Sequence, residues 1–425
     1  MIPLLVLAAI PLVVVVLVFG LRSPLGVLVA GYAFIVPFGS AIDLPIPLPP
    51  PFNTVSSLAG LAAVAGMFLH LLLVRRGPVR VPSAAPIWLL FLCLAGLTFA
   101  WSVDGARTID DLMVVVSLVA LYVLTALMPV STPHAQRICT AIMTGAVVAS
   151  VIGIVLVVGG HAPIGKSGVP RFLITGDDPN HTAAGLLLPL MLAMSRSVDR
   201  RQSPPARAFA VGGVVVMATG IVLTGSRGGV LAALTGTLVV MAHTGSTKRA
   251  GSVVIVLGLA VLLGLRQAPE KLQDRLVART STGRTDIWQL GLATCPRYCF
   301  VGSGFGTFPA VYQKEFRTNP EGGGYRTAAF RAHNIWLQAL IEIGIAGLVL
   351  LVLGFAATVR EVARLPREDR GPPLAALLAL AVASSLLSNL TFKYFWLVLM
   401  YSVIVVSAAG RTESERGTLP VGRMH

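Results

Sequence analysis

A chain of 425 residues that is 55% hydrophobic and only 12% charged lies far from the quarter-charged composition of soluble domains, and its mean hydropathy of +0.82 points to lipid as the solvent. The net charge of +15 does not imply a nucleic-acid partner. Lys and Arg sit between apolar runs, and no basic stretch is interleaved with aromatics in a soluble module.

Apolar runs long enough to span a hydrocarbon core fall at about 2–19, 25–41, 55–74, 86–101, 112–130, 138–159, 182–194, 208–224, 228–243, 251–265, 333–355, 373–388 and 392–409. The first has no basic leader and no small-residue cleavage site, so it reads as a retained helix. Only residues 20–24 separate it from the second run, and the pair is either two spans or one broken element. The expectation is an all-α integral membrane protein, a single polytopic bundle of about 12–13 transmembrane helices over residues 1–425, with one large loop at 266–332. Cys93 and Cys139 fall in or beside these runs and read as small hydrophobes.

Basic clusters punctuate the runs: Arg75 with Arg76 and Arg80, Arg196 with Arg200, Arg201 and Arg207, Lys248 with Arg249, and Arg360 with Arg364, Arg367 and Arg370. Alternating spans put all of them, and Arg411 and Arg416 of the tail, on one side, which the positive-inside rule makes the cytoplasm. Residues 101–111, 161–180, 224–229, 266–332 and 389–393 then lie outside. The long loop carries ten Lys or Arg against five Asp or Glu, a surplus that attracts anionic substrates.

The outer segments hold the candidate chemistry. Gly160-His-Ala-Pro-Ile-Gly165-Lys166-Ser167 fits a phosphate-loop pattern, but a membrane span precedes it and Gly168-Val169-Pro170 follows where a helix should begin, so nucleotide binding is rejected. Asp177-Asp-Pro-Asn180-His181 suits a helix-capping turn, with Asn180 also able to bond a polar headgroup. Arg227, in Thr224-Gly-Ser-Arg-Gly-Gly229, would stand at the outer lipid boundary beside a helix N-terminus, placed for an anion or for snorkelling. Residues 269–276 read as an interfacial amphipathic helix with Leu272 and Leu276 on one face. In Thr282-Gly-Arg284-Thr-Asp-Ile-Trp288, Arg284 and Trp288 share a helical face, suited to anion binding or to anchoring.

Cys295 and Cys299 lie where disulfides persist and are candidates for a local bridge, with Pro296 arguing against a regular helix between them. Glu321-Gly-Gly-Gly324 suggests a loop able to close over reactants. His333 opens a span close to Arg331 and a positive helix end, both of which favour the neutral imidazole of a base. Its neighbour Asn334 and the deeper Glu342, a carboxylate facing the bundle interior, complete the supporting set.

Asp178-Pro-Asn180, Thr224-Gly-Ser-Arg-Gly-Gly229, Gly283-Arg284 with Trp288, Val301-Gly-Ser-Gly-Phe-Gly-Thr-Phe308, His333-Asn-Ile-Trp-Leu and Glu342-Ile-Gly344 occur in that order. Together they resemble the O-antigen ligase and polymerase superfamily of bacterial membrane glycosyltransferases. The resemblance covers roughly residues 177–350 well and the first half through span pattern alone. It implies a GT-C-like helical fold in the cytoplasmic membrane, with an active site on the extracytoplasmic side that takes a glycan from a polyprenyl diphosphate carrier. By that resemblance Arg227 and Arg284 hold the diphosphate, and His333 is the general base toward the acceptor hydroxyl. Asn180, Arg331, Asn334 and Glu342 give support. The reaction it implies inverts the anomeric centre with neither metal nor cofactor. The cysteine pair and the insertion at 295–300 depart from the family pattern.

The implied partners are the lipid-linked donor, a glycan, lipid or protein acceptor, and membrane lipids. One large outer loop rather than two favours a ligase over a polymerase. A lipid-linked glycan transporter is the reading from another class, disfavoured because Arg227, Arg284 and His333 gather at the outer edge and not at the midplane.

Overall fold

The computed structural model describes residues 18, 20–39, 54–74, 81–161, 171–173, 178–269, 272, 283–318 and 330–417. A π turn at Leu25–Val29 leads into α1 (Ala30–Ile35), which a short 3-10 turn closes at Val36–Phe38. There follow α2 (Val55–Leu73), α3 (Ala84–Leu97), α4 (Gly105–Leu127), α5 (Thr132–Val158), α6 (Pro179–Gly185), α7 (Leu187–Val198), α8 (Pro204–Leu223), α9 (Arg227–His243) and α10 (Thr247–Gln267). Three short helices, α11 (Arg284–Ala293), α12 (Cys295–Tyr298) and α13 (Phe308–Thr318), lead to α14 (Ile335–Ala363), α15 (Arg367–Ser384) and α16 (Lys393–Gly417).

Among the described residues, eight helices are long and apolar enough to cross a membrane, and Leu25–Phe38 and Arg227–His243 are shorter apolar helices. The expected runs at 182–194 and 373–388 are also helical but fall short of that standard, for local reasons. A break at Leu186 divides the first into pieces of 7 and 12 residues. The second opens on a charged turn followed by Pro372 and Pro373. The expected run at 2–19 lies, apart from Val18, outside the described residues.

Polar residues set the helix starts. The side chains of Thr54, Asp178, Ser203 and Ser226 each accept from a backbone N–H of the first turn they precede. Asp104 does the same for α4, whose start at Gly105 therefore precedes the expected 112 and places Asp110 and Asp111 on the helix. Asn334 caps α14, accepting from Trp336 N at 3.0 Å and Leu337 N at 3.1 Å.

Lipid tails are as apolar as leucine, so the bundle is held by close packing and internal polar contacts. α9 packs most extensively on α15, α8 on α10 and α7, and α3 on α14. Small residues permit these approaches: a Cβ on Gly354 of α14 would stand 2.9 Å from the Trp88 ring of α3. Trp88 is edge-on to Trp396 at 5.1 Å in an aromatic knot with Phe91, Phe395 and Tyr122. At the end of the bundle away from the basic loops, Lys393 Nζ donates to Ser56 Oγ at 2.7 Å and Ser57 Oγ at 2.8 Å, joining the starts of α16 and α2.

At the same end, the described part of the 266–332 segment is built into the bundle. Ile287, Phe308, Val311 and Tyr312 form a small core with Ala332, Leu337 and Ile341, the last two from α14. Within α14, Gly344 adopts φ 80° and ψ −175°, a conformation open to glycine, and the helix ladder breaks there. Ile345 N donates to Cys299 O at 2.8 Å instead of to Ile341 O, and Ile341 O accepts from Ser303 N at 2.9 Å. Gly304 N donates to Glu342 O at 3.0 Å. The glycine-rich turn thus takes over the hydrogen bonds that the break releases.

Candidate active site

His333 lies in the link between Arg331 and the capping residue Asn334, where the loop segment meets α14. Its φ of 48° is the one positive value on a non-glycine residue among the described residues. Such a conformation costs on the order of 1–3 kcal/mol and persists where surrounding contacts fix it. The fixing contacts are on both sides. Trp288 of α11 donates Nε1–H to Ala332 O at 2.9 Å, and Asn334 starts the helix one residue later. Trp288 therefore ties α11 to the backbone next to His333, a more specific role than the membrane anchor its sequence suggested.

That tie sets the electrostatics. Burial pushes the His333 imidazole below its ordinary range; the Arg284 guanidinium at the start of α11 pushes it further, Arg331 adds to this, and Asp178 opposes it. The ring is held neutral at physiological pH. His333 Nδ1 is buried with no hydrogen-bond partner. A neutral imidazole with an unused nitrogen, flanked by two guanidiniums, can accept a proton and sits beside positive charge that suits an anion.

α6 forms the facing wall. Asp178 Oδ1 accepts from both Asn180 N and Asn180 Nδ2 at 2.8 Å, so the Asn180 amide is turned onto its own cap. His181 stacks on Phe392 with ring centroids 3.7 Å apart, and its Nδ1 meets Tyr394 Oη at 2.8 Å. Asp178, His333, Arg331 and Arg284 all act electrostatically on His181. Arg331 Nη1 also donates to Thr391 Oγ1 at 3.4 Å, and its Nη2 lies 3.8 Å from Asp111 Oδ1.

Arg227 reaches this end through the α8–α9 turn. Ser226 caps α9 by accepting from Gly229 N at 3.1 Å. A Cβ on Gly229 would lie 2.5 Å from Ala183, so the turn packs directly on α6. The buried Arg171 donates Nε–H to Thr224 O at 2.6 Å, and Phe172 N donates to Leu223 O at 3.1 Å. Leu272, fully buried, covers Gly225 of the same turn. The rest of the expected amphipathic helix at 269–276, all but Pro269, lies outside the described residues, as do Glu321 to Gly324.

Glu342 is committed to the glycine-rich turn. Its Oε2 accepts from Gly306 N at 2.9 Å and its Oε1 from Phe308 N at 3.1 Å, and Gln338 Nε2 donates to both oxygens. Phe305 N donates to Thr98 Oγ1 at 2.9 Å, fastening the turn to the end of α3. Cys295 and Cys299 form a disulfide with Cα atoms 4.6 Å apart across α12, a single helical turn that accommodates Pro296 in its first positions, where its missing N–H leaves no bond unmade.

The structure thus gathers Arg284, Arg331, His333 and Asn334 around the α11–α14 junction, with Asn180 on the opposing α6. It sets Glu342 beneath, as an anchor for backbone N–H groups. Arg171 is a member of this region that sequence reasoning had not singled out, and Asp178 and His181, read only within a capping turn and a resemblance motif, act here on the site electrostatically. Arg171 carried a legible signal, one cation inside Val169-Pro-Arg-Phe-Leu173. The ring partners of His181 did not, because they come from more than 200 residues away.

Residues 212–352 match a family model described as O-antigen ligase. The matched stretch contains Arg227, Arg284, His333 and Glu342 and leaves out Asn180 and His181. No curated protein matches the chain.

Proposed function

We propose, from the match of residues 212–352 to a family model described as O-antigen ligase, that this chain is a ligase-like glycosyltransferase. It moves a glycan from a polyprenyl diphosphate carrier to an acceptor hydroxyl at the outer face of the cytoplasmic membrane. The observation that carries this reading is the neutral, strained His333 with an unpartnered Nδ1 beside Arg284 and Arg331.

In the step proposed, the acceptor oxygen attacks the anomeric carbon from the face opposite the carrier. The bond from that carbon to the diphosphate oxygen breaks, and its electron pair stays with the diphosphate. The acceptor proton passes to His333. Arg227 and Arg284 offset the charge that the leaving diphosphate gains, and no metal is required where guanidiniums supply that charge. Arg331 keeps the imidazole neutral until the proton arrives, and Asn334 holds the backbone that presents it. Asn180 and Glu342 act at one remove, through the α6 cap and the glycine-rich turn.

The basic loops at the opposite end favour a cytoplasmic assignment for that end, which puts the His333 end outside. The test is reconstitution in proteoliposomes with a polyprenyl diphosphate-linked glycan and candidate acceptors. Covalent product together with released polyprenyl diphosphate is expected. A single addition marks a ligase and a ladder of products a polymerase. Vectorial movement of the donor without any covalent product would overturn the transferase reading in favour of transport.

A further inference from the structure

A polar cavity of about 290 Å³ opens beside the His333 link. Arg107, Asp110, Asp111, Arg331, Gln338 and Glu342 supply its polar lining. Its chemistry differs from the cationic surroundings of His333, because two guanidiniums face three carboxylates. One of these carboxylates, Glu342, already accepts from Gly306 N, Phe308 N and Gln338 Nε2. Arg331 lies 3.8 Å from Asp111, and Arg107 lies 3.1 Å from Asp104. The lining is formally one charge negative, which disfavours a phosphate, while the two guanidiniums in the same lining disfavour a bare cation, so a neutral polar ligand fits best.

Two groups face this space with unused capacity. Gln338 is 3% exposed and its Oε1 is buried with no hydrogen-bond partner, its Nε2 being spent on Glu342. A buried acceptor without a partner is costly unless a ligand supplies a donor. Asp111 packs over Gly306, where a Cβ would lie 2.8 Å from the Asp111 Oδ2. Its ion pair with Arg331, at 3.8 Å, leaves the carboxylate several acceptor sites. Acceptor oxygens brought to a small cavity by two helices, α4 and α14, suit a ligand rich in hydroxyl donors. The volume, at the lower edge of ligand pockets, suits one ring.

We infer that this cavity is a carbohydrate subsite that receives one neutral sugar ring of the acceptor, with Asp111 and Gln338 accepting from its hydroxyls and Arg331 forming the wall toward His333. The inference rests on the transferase reading. It selects the acceptor because the proposed diphosphate site, with Arg284 and Arg227, draws on other elements, and the base must lie beside the acceptor hydroxyl whose proton it takes.

The test uses the full chain in detergent and methyl glycosides of hexoses, deoxyhexoses and N-acetylhexosamines, read by saturation-transfer NMR. Wild type and His333→Ala are expected to transfer saturation to the ring protons of at least one glycoside, and Asp111→Asn to lose that signal. Gln338→Leu, on α14, serves as a second variant. In the transfer assay Asp111→Asn should raise the acceptor KM about tenfold with the donor KM unmoved. Equal signals in wild type and both variants, or no glycoside signal in wild type, would overturn the subsite. Sugar binding that Asp111→Asn abolishes, in a wild type that transfers nothing, would leave the subsite standing and overturn the transferase reading. Transfer with an unchanged acceptor KM in Asp111→Asn would do the reverse.

Discussion

His333 carries its backbone strain at the one position where α11, the 331–334 link and α14 meet, and it carries its pKa shift there too. Because the folded imidazole protonates below its ordinary pKa of about 6.5, the neutral form survives into mildly acidic solution, and the acid limb of transfer should fall below that pH. The unfolded chain takes up this proton first, so on lowering pH the fold loses stability from about pH 6.5 downward. Titrating the ring by NMR should separate the causes. Arg284→Gln removes a positive neighbour and is expected to raise the His333 pKa, whereas Asp178→Asn removes the opposing negative charge and is expected to lower it further. A ring that titrates identically in wild type and both variants would show that these groups do not act on it. The residue types were legible in the sequence, since His333, Arg331 and Arg284 all stood out as charges at a membrane edge. The positive φ was not, because it depends on the Trp288 to Ala332 bond across 44 positions.

At the scale of elements, the exchange of hydrogen bonds between the break in α14 and the glycine-rich turn holds the site together. Gly304 has φ 110°, and a Cβ there would collide with Ser102. Gly304→Ala should therefore destabilise the protein by about 1–3 kcal/mol, read as a lower melting temperature in detergent. Glu342→Gln would turn an amide NH2 toward the N–H of Gly306 or Phe308 and leave one donor unpaired, at a cost of about 1–3 kcal/mol. A melting temperature unchanged in both variants would deny the turn its anchoring role. The sequence displayed the glycines and Glu342 as motifs of a resembled family. It could not say that Glu342 binds backbone N–H groups, because its partners lie 34 and 36 residues away. Period and composition likewise placed Arg284 and Trp288 on a helix but left open what the helix rests on.

For the whole molecule, apolar run length was the most readable signal, since twelve of the expected runs coincide with helical segments. The exceptions are local: caps at Asp104 and Asn334 moved helix starts, and the break at Leu186 divided one run in two. Sidedness is testable by cysteine accessibility in a background lacking the native cysteines. A thiol introduced at Gln202 should react with impermeant reagent only from the cytoplasmic side, and one at Asp110 only from outside. Labelling of both from the same side would contradict the topology on which the outer site depends.

The most direct test combines carrier binding with transfer in reconstituted protein. His333→Ala is expected to bind the polyprenyl diphosphate-linked glycan as wild type does while its transfer rate falls by about 10²–10⁴. Arg284→Gln is expected to weaken carrier binding itself by about ten- to a hundredfold. Transfer by His333→Ala at the wild-type rate would contradict the assignment of the base and, with it, the site.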